Sequence, residues 1–349
     1  MIKVIDKVYK IKDGIYYSEN SDEDKGYWSN ISVKNQEEFL SECRRVGTLK
    51  SVRENFPNLE NIIFEPTRAV GLRFLDIKPN DIGVDFGCMW GNLLIHSAKK
   101  CKLIVGIDQT EASLKFLNIR LKEEKLDNVC LINENLRNKL PFRENFDFAI
   151  INGVLEWIPD TNQIDLTSFF KKGKVDNLKN KSNPKESQLE FLKTVHQSLN
   201  DKGKLYLAIE NRWDYQHFLW KSDPHSNLFY TAILPRRISS IISKIVYGRS
   251  YVNYIYSMKK LKQLLSSAGF IVTGEYAAFP DYRNPLKILD INNKDTSDYS
   301  PVYHMSSTKN ILKKVFRMGR NILDIIIYKY FKLFNLAPSF IIIAEKRNG

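Results

Sequence analysis

The sequence contains few cysteines and no long apolar run. Its four cysteines, at positions 43, 88, 101 and 130, form no Cys-x-x-Cys pair, and their apolar surroundings predict reduced, buried thiols in a cytoplasmic protein. Nowhere do about 18 uncharged apolar residues follow one another, and the N-terminus has no apolar stretch of the signal-peptide kind. We therefore expect a protein that is neither secreted nor membrane-spanning. No metal site is predicted from residue spacing either.

Acidic residues are absent from one long stretch and almost absent from another. Between residues 234 and 262 there are seven Lys or Arg and no Asp or Glu, and between 309 and 332 seven basic residues stand against Asp324 alone. These windows hold the whole net charge of +13. Basic and apolar residues alternate in them at helical spacing, which favours contact with an anionic membrane or a lipid-linked substrate over a nucleic-acid groove. Solvated lysines over ordinary core-packed helices would give the same pattern.

The order of apolar segments predicts the fold class. A chain of 349 residues with 43% hydrophobic content can bury a large α/β core. Strands and helices alternate, which predicts a doubly wound, mostly parallel sheet with ligand sites at the carboxyl ends of its strands. The predicted strands are 82–86, 102–108, 129–133, 147–151, 203–210 and 339–345. The predicted helices are 35–46, 67–75, 91–99, 110–125, 187–199 and 258–268.

One loop carries the clearest functional signal. The strand that begins at Ile82 runs into Asp85, and Gly87 and Gly91 follow before the next helix. Glycines let the chain turn sharply and bring backbone N–H groups close to a ligand at the N-terminus of the helix. Asp108 ends the next strand 21 residues after Gly87, a spacing at which a carboxylate can accept hydrogen bonds from ribose hydroxyls. The loop predicts a nucleoside cofactor, although a dinucleotide fold uses the same physics.

Together these motifs resemble the class I S-adenosylmethionine-dependent methyltransferases. Further segments extend the resemblance: Asn133-Glu-Asn-Leu136, Val154-Leu-Glu-Trp-Ile158 and Leu199-Asn-Asp-Lys-Gly-Lys204. It implies a seven-stranded Rossmann-like sheet and S-adenosylmethionine as the cofactor, with the glycine loop on the methionine part, Asp108 on the ribose and Asn135-Leu136 beside the adenine. The full set of cofactor residues implied is Asp85, Gly87, Cys88, Gly91, Asp108, Gln109, Asn135, Leu136 and Asn152.

Two residues depart from the family pattern. Met89 stands where the family has its middle glycine, and Met89 would crowd the loop unless its φ stays below zero. Asn135 stands where an acid often accepts a hydrogen bond from the adenine amino group, a role that its amide oxygen can take. A methyltransferase fold that no longer binds the cofactor is the alternative that Met89 keeps open.

The domain organisation follows from the same comparison. Residues 1–55 form an N-terminal extension with a hairpin from Val4 to Tyr17, 56–212 the cofactor-binding core, and 213–257 an aromatic-rich insertion expected to cap the site. Residues 258–349 complete the core, with a basic amphipathic helix inserted near 309–334. A polar segment from Lys171 to Ser187 is predicted to be a connecting or gating loop.

Candidate catalytic residues lie in the loops after strands four and five. Glu156 could act as a base or merely orient its loop, and His225 in the cap has an imidazole suited to accepting a proton or is solvated. Arg212 ends a polar run after strand five, where substrate and cofactor would meet. Arg236 and Arg237 are expected to line the acceptor's approach with Arg212 and His225.

A second resemblance concerns the acceptor. The segments around Glu210-Asn-Arg212, Asp223-Pro-His225 and Phe279-Pro-Asp-Tyr-Arg283 look similar to a bacterial subgroup of these methyltransferases associated with surface polysaccharide and other glycans. This implies methylation of a polar small-molecule or glycan acceptor, such as a sugar hydroxyl. An RNA methyltransferase, a non-catalytic protein and a nicotinamide-dependent dehydrogenase are the alternatives.

Overall fold

The structure, a computed structural model, describes residues 9–18, 33–138, 140–159, 183–293, 300–302 and 311–347. Ten strands form one sheet in the order β1-β2-β5-β4-β3-β6-β7-β10-β8-β9. Strands β2 to β7 pair with one another in parallel, whereas the pairs β1–β2 and β8–β9 are antiparallel and β10 runs antiparallel between β7 and β8. The strands are β1 Tyr9–Lys12, β2 Ile15–Ser18, β3 Ile82–Phe86, β4 Leu103–Asp108, β5 Val129–Asn133, β6 Phe146–Asn152, β7 Leu199–Glu210, β8 Phe270–Phe279, β9 Lys287–Asp290 and β10 Ser339–Lys346.

Helices cover both faces of this sheet. The α-helices are α1 Val33–Val46, α2 Thr48–Asn55, α3 Glu60–Phe64, α4 Asn92–Ala98, α5 Glu111–Glu123, α6 Pro184–Ser198, α7 Gln216–Leu219, α8 Arg236–Tyr247, α9 Met258–Ser267 and α10 Ile311–Asp324. Residues Pro66–Leu75 form a 3-10 helix and Ile325–Tyr330 a π-helix. Among the described residues, none of the helices is both long and apolar enough to cross a bilayer.

Two hydrophobic cores lie on the two faces of the sheet. Within β4, Val105 and Ile107 belong to one core, and Ile104 belongs to the other. This alternation follows from the two-residue period of a strand, and strands that are apolar on both faces are typical of parallel sheets covered by helices. The predicted doubly wound α/β class is confirmed.

The sheet is wider than predicted. Seven strands were expected, and the described residues form ten, because β1 and β2 are added at one edge of the sheet and β9 at the other. The predicted N-terminal hairpin is present from Tyr9 onward, while its expected start at Val4 lies outside the described residues; β2 pairs in parallel with β5. On the other side β9 pairs with β8. The hairpin occupies the edge that β5 would otherwise expose, so the N-terminal extension belongs to the core sheet.

The predicted elements match the structure closely between β3 and β7. The helix expected at 67–75 is a 3-10 helix, Pro66–Leu75, rather than an α-helix. The predicted loop 171–187 lies outside the described residues up to position 182, and α6 already begins at Pro184.

The basic helix near 309–334 is present from Ile311 onward. One side packs on the protein: Tyr328 is fully buried, its ring lies 4.8 Å from that of Phe279, and Tyr215 donates a hydrogen bond of 2.5 Å to Asp324. The other side leaves large apolar side chains exposed.

Candidate active site

A single cavity of about 400 Å³ opens at the carboxyl ends of the parallel strands. Each of five strands places a polar or glycine residue there, because the carboxyl ends of parallel strands meet at one edge of the sheet. The cavity is lined by all nine residues expected to bind the cofactor: Asp85, Gly87, Cys88, Gly91, Asp108, Gln109, Asn135, Leu136 and Asn152.

The glycine loop leaves no room for side chains at its two glycines. Gly87 has φ 76°, and a Cβ there would lie 2.5 Å from a methyl carbon of Val154. Gly91 has φ 77°, and a Cβ there would lie 2.1 Å from Leu117 Cδ1. Both the left-handed backbone and the close neighbours require glycine at these positions.

Met89 adopts a conformation that the sequence did not predict. Its φ is +49°, in the left-handed region, whereas a negative φ was expected to be necessary. The Met89 N–H donates a hydrogen bond of 2.8 Å to Asp108 Oδ2. Its side chain packs against a hydrophobic cluster that includes Phe39 and Ile63 of the N-terminal helices. The extension thus covers the methionine side chain, and the backbone still makes the turn.

Asp108 organises the loop as well as facing the cavity. Besides the bond from Met89, its Oδ1 accepts a hydrogen bond of 2.8 Å from the Thr110 N–H. Each oxygen of a carboxylate can accept more than one hydrogen bond, so these contacts are compatible with bonds from ribose hydroxyls. The residue therefore has a structural role in addition to the one implied by the resemblance.

The side-chain amides of Asn135 and Asn152, at this edge of the sheet, differ in how many of their hydrogen bonds are already made. Asn135 Oδ1 already accepts the N–H of Arg137 at 3.0 Å, so the oxygen expected to face the adenine is partly engaged. By contrast, the amide nitrogen and oxygen of Asn152 are both buried and have no hydrogen-bond partner among the described residues. An unsatisfied buried amide beside a cavity fits a ligand that supplies the missing partners.

An acidic side chain, Asp85, and a basic one, Arg68, both line the cavity beside the glycine loop. Burial and the neighbouring Asp108 raise the pKa of Asp85 to about 7, and Arg68 acts against this rise. Arg68 also lines the cavity, and burial lowers its pKa. A carboxyl group and a guanidinium that line the same cavity match the ammonium and carboxylate of an amino-acid group. Sequence reasoning missed Arg68, which lies before β3 and outside any motif used.

A buried polar cluster lies on the other side of the cavity. Glu210, at the end of β7, and His225 both line the cavity. His225 Nε2 is 3.8 Å from Glu210 Oε2 and 3.9 Å from Glu156 Oε1, and its Nδ1 is 3.1 Å from Asp223 Oδ1. All four residues are at most 3% exposed. We call Glu156, Glu210, His225 and Asp223 the buried cluster.

The charges of the buried cluster shift one another. Burial and the charge of Glu210 raise the pKa of Glu156 to about 7. Burial alone would lower the pKa of His225, but its hydrogen bond to Asp223 and the nearby glutamates raise it to about 10. The raised pKa favours the protonated imidazolium, whereas the sequence predicted an imidazole that accepts a proton. Asp223 keeps a pKa of about 2, since its bonds to His225 outweigh its burial.

The three arginines predicted at the acceptor's approach have other contacts. Arg212 donates to the carbonyls of Ile233 and Leu234, at 3.1 and 2.8 Å, and Arg236 donates to the carbonyl of Ile255 and lies over the ring of Tyr254. Neither lines the cavity, and Arg237 is exposed on α8. The expectation that they line it is wrong, because their guanidinium groups bind backbone carbonyls of the insertion or face solvent.

The insertion nevertheless reaches the cavity through its Asp223-Pro-His225 turn. Pro224 and His225 line the cavity together with Trp157, Tyr282 and Arg283. The Tyr282 hydroxyl donates to Glu210 Oε1 at 3.3 Å. The Asp-Pro-His and Asp-Tyr-Arg segments had been noticed in the sequence, but not as partners of one another.

Comparisons with known proteins agree with this arrangement. Residues 84–172 match the family model described as a methyltransferase domain. A probable cobalt-precorrin-6B C(15)-methyltransferase (decarboxylating) of Methanococcus maripaludis is 28% identical over 113 residues, which are 32% of this chain and 58% of that protein. Its counterpart in Methanocaldococcus jannaschii is 30% identical over 97 residues, 27% of this chain and 51% of that protein. The chain thus spans little more than half the length of these curated relatives.

Among solved structures, a putative methyltransferase in complex with the Trm112 activator of Haloferax volcanii has a TM-score of 0.47 at 12% identity, over 89% of this chain and 98% of that chain. A putative methyltransferase of Bacillus halodurans has a TM-score of 0.42 at 14% identity, and the match covers 80% of this chain and 99% of that chain.

The sheet, the glycine loop and the domain match define one class. Residues 84–172, which contain the glycine loop and Asp108, are similar to a methyltransferase domain. This match agrees with the methyltransferase class predicted from the sequence and with S-adenosylmethionine as its cofactor.

Proposed function

We propose that this protein transfers a methyl group from S-adenosylmethionine to a hydroxyl group of a small polar acceptor. The observation that carries the proposal is that one cavity joins the nine cofactor residues to the buried cluster. Its volume of about 400 Å³ lies within the range of roughly 300–1,000 Å³ typical of small-molecule sites. Cofactor and acceptor group would therefore meet inside the protein.

The cofactor residues divide by chemistry. Asp85 and Arg68 suit the ammonium and carboxylate of the methionine part, beside the backbone of the glycine loop. Asp108 lines the cavity and can accept hydrogen bonds from the ribose hydroxyls through its carboxylate, and Leu136 offers an apolar contact to the adenine. Asn152, whose amide has no partner among the described residues, faces the same space and can bind either end of a polar group.

Bound S-adenosylmethionine supplies an electrophilic methyl group on a sulfonium. The protein must then orient the acceptor oxygen and remove its proton. Glu210 is suited to this, because it lines the cavity and its Oε2 accepts no hydrogen bond from the described residues. His225 and Tyr282 hold the glutamate in place. Glu156, one of the catalytic candidates from sequence, does not line the cavity and acts on His225 from behind.

We further propose a sugar or another glycan component as the acceptor. The support is the second sequence resemblance together with the carboxylates and amides of the site, which match hydroxyl donors. The curated relatives are named as C(15)-methyltransferases acting on cobalt-precorrin-6B, but the similarity spans only part of each chain. We therefore do not extend their acceptor to this protein.

Two alternatives lose support. The non-catalytic reading depended on Met89, whose side chain packs among the N-terminal helices and whose backbone still makes the turn. An RNA acceptor would have to bring its target group to the buried cluster, and the residues there are acidic rather than basic.

The test has two stages. Calorimetry with purified protein should give micromolar binding of S-adenosylmethionine. Labelled S-adenosylmethionine is then offered with nucleotide sugars, lipid-linked glycans or RNA, and the label is followed into each pool. Label in a sugar ether supports the proposal, whereas label only in RNA, or binding without any transfer, contradicts it.

We also propose that α10 and the following π-helix attach the protein to an anionic membrane. Large apolar side chains are exposed along this segment, among them Val315 (57%), Met318 (52%) and Tyr330 (72%), and basic residues lie between them. Apolar insertion plus about 1 kcal/mol for each basic residue near the surface would suffice for reversible attachment. A membrane location would suit a lipid-linked acceptor.

Flotation with vesicles tests the membrane proposal. Anionic vesicles should carry the protein upward at low salt, and neutral vesicles or high salt should not. Met318→Asp should abolish flotation, while Ile271→Asp, at an apolar side chain equally exposed (52%) on β8, should leave flotation unchanged. Equal flotation of both variants would contradict the proposal.

A further inference from the structure

The buried cluster carries more negative than positive charge. It contains the carboxylates of Glu156, Glu210 and Asp223, and among the described residues His225 is the only basic group within 4.0 Å of any of them. One imidazolium offsets one carboxylate at most. Burying the remaining charge without a partner is costly.

Hydrogen bonding does not hold the centre of the cluster together. His225 Nε2 is 3.8 and 3.9 Å from the two glutamate oxygens, beyond hydrogen-bond distance. Both oxygens of Glu156 and Oε2 of Glu210 are buried without a hydrogen-bond partner among the described residues. Three ligand atoms therefore face a common point that the described side chains leave unfilled.

The outer contacts of the cluster resemble those of a metal site. Asp223 holds Nδ1 of His225, which turns Nε2 toward the glutamates, and metal-bound histidines commonly have such a carboxylate partner. Tyr282 donates to the other oxygen of Glu210, and Asn253 donates to the backbone carbonyl of Glu156 at 3.1 Å. The ligands are thus oriented by residues that would not themselves contact an ion.

We propose that Glu156, Glu210 and His225 bind a divalent cation of the Mg²⁺ or Mn²⁺ type. The three ligand atoms lie within 4.8 Å of one another, so a point equidistant from them is roughly 2.1–2.5 Å from each, close to the usual metal–oxygen distances of about 2.0–2.6 Å. Two carboxylates and one imidazole suit these ions, and soft thiolate ligands are lacking among the described residues of the cluster. The ion would displace the proton on Nε2.

The ion would lie beside the cavity, since Glu210 and His225 line it. Its remaining coordination positions could hold oxygen atoms of the acceptor, which favours an acceptor with a hydroxyl group or two adjacent ones. Glu210 would then act as a ligand rather than as the proton acceptor itself. This role rests on the proposed function, whereas binding of the ion does not.

Binding of Mn²⁺ to the full chain, without acceptor, tests the site. Electron paramagnetic resonance should detect one tightly bound Mn²⁺ per chain, and Mg²⁺ should compete for it. Glu156→Gln and His225→Gln should each weaken Mn²⁺ binding at least tenfold, and Asp223→Asn, a positioning change, roughly 10–100-fold. His217→Gln is the matched control: His217 is 1% exposed in the same insertion, and its Nδ1 contacts the Lys221 carbonyl instead of the cluster.

Thermal unfolding and S-adenosylmethionine binding report whether each variant folds. Crystals soaked in Mn²⁺ give an independent check by anomalous scattering at the cluster, which needs no variant. Absence of both the bound-Mn²⁺ signal and the anomalous peak overturns the proposal, as does equal binding by wild type, Glu156→Gln and His225→Gln. If EDTA abolishes transfer but spares cofactor binding, the ion serves the reaction; undiminished transfer in EDTA limits the ion to structure and leaves the proposed function standing.

Discussion

The two sides of the cavity are built in different ways. The cofactor side comes from short segments at the ends of β3 to β6, and its glycines and Asp108 make close, well-defined contacts with the loop backbone. The opposite side brings together residues from β7, the insertion and the segment after β8. Both carboxylate oxygens of Glu156 and Oε2 of Glu210 are buried there and have no hydrogen-bond partner among the described residues. The cofactor side is already shaped for its ligand. The buried cluster instead carries negative charge that a ligand, a proton or an ion must neutralise.

Because the two sides are built differently, substitutions on one side should cause a different loss of function from substitutions on the other. Changes on the cofactor side should affect binding of S-adenosylmethionine, and changes in the buried cluster should affect turnover with binding preserved. Each variant below tests whether the two sides are as independent as their contacts indicate.

The largest effect is expected for Glu210→Gln. The amide keeps the shape but cannot take a proton or bind an ion as a carboxylate does, so turnover should fall about 10²–10⁴-fold. The affinity for S-adenosylmethionine, measured by calorimetry, should stay within about twofold of wild type. Glu275→Gln, which only breaks a surface ion pair with Lys262, is the control. Unchanged turnover, or an equal loss of cofactor affinity, would remove the distinction between the two sides.

The next largest effect is expected for Gly91→Ala. The new Cβ would meet the buried side chain of Leu117 at 2.1 Å, and overpacking of this kind costs about 1–3 kcal/mol beyond the left-handed backbone strain. Gly248→Ala has nearly the same φ, 73°, but nothing within 4 Å. Thermal unfolding should therefore show a clearly larger loss for Gly91→Ala, and only that variant should lose cofactor binding. Equal losses would mean that backbone strain alone explains the glycine.

Asp108→Ala should weaken S-adenosylmethionine binding roughly tenfold or more, because a charge-assisted hydrogen bond contributes about 1.5–3 kcal/mol. The variant also removes the acceptor for the N–H groups of Met89 and Thr110, so the melting temperature of the free protein should fall. Calorimetry and thermal unfolding measure the two effects. Unchanged affinity would exclude Asp108 from the cofactor site.

The pH dependence of cofactor binding is the smallest expected effect. Since the pKa of Asp85 is about 7, raised from 3.8, the carboxyl group is neutral at pH 5.5 and becomes charged as pH rises through 7. If the charged form binds the cofactor ammonium, affinity should increase roughly tenfold from pH 5.5 to 7. In the free protein the sign is opposite: the folded state holds the proton more tightly, so the contribution of Asp85 to stability declines between about pH 4 and 7.

Asp85→Asn is the matched change for this prediction. It should flatten the pH dependence of S-adenosylmethionine affinity below pH 7, where the cofactor amine remains protonated. Calorimetry at several pH values checks this. A pH dependence that persists in Asp85→Asn would assign it to another group.

The sequence predicts the residues on the cofactor side of the cavity better than those on the opposite side, because the cofactor residues lie close together in the chain. The cofactor residues Gly87, Gly91 and Asp108 are within 22 positions of one another, and their spacing alone restricts how a strand, a turn and a helix can follow. Met89 was judged from the loop only, and its φ of +49° depends on the N-terminal helices that cover its side chain. Arg212 was assigned to the acceptor because it follows Glu210, but the insertion folds back and its carbonyls bind the guanidinium.

The sequence by itself determined the order of strands and helices from β3 to β7, the glycine loop and the class of cofactor, because these depend on hydrophobic period and short spacing. Tertiary structure alone decided the two added sheet edges, the packing of Met89 against the N-terminal helices and the meeting of Glu156, Glu210 and His225. Those three residues are up to 69 positions apart, and no local pattern states which loops will converge. Their pKa values and unfilled centre arise only when burial removes water from charges that the chain has brought together.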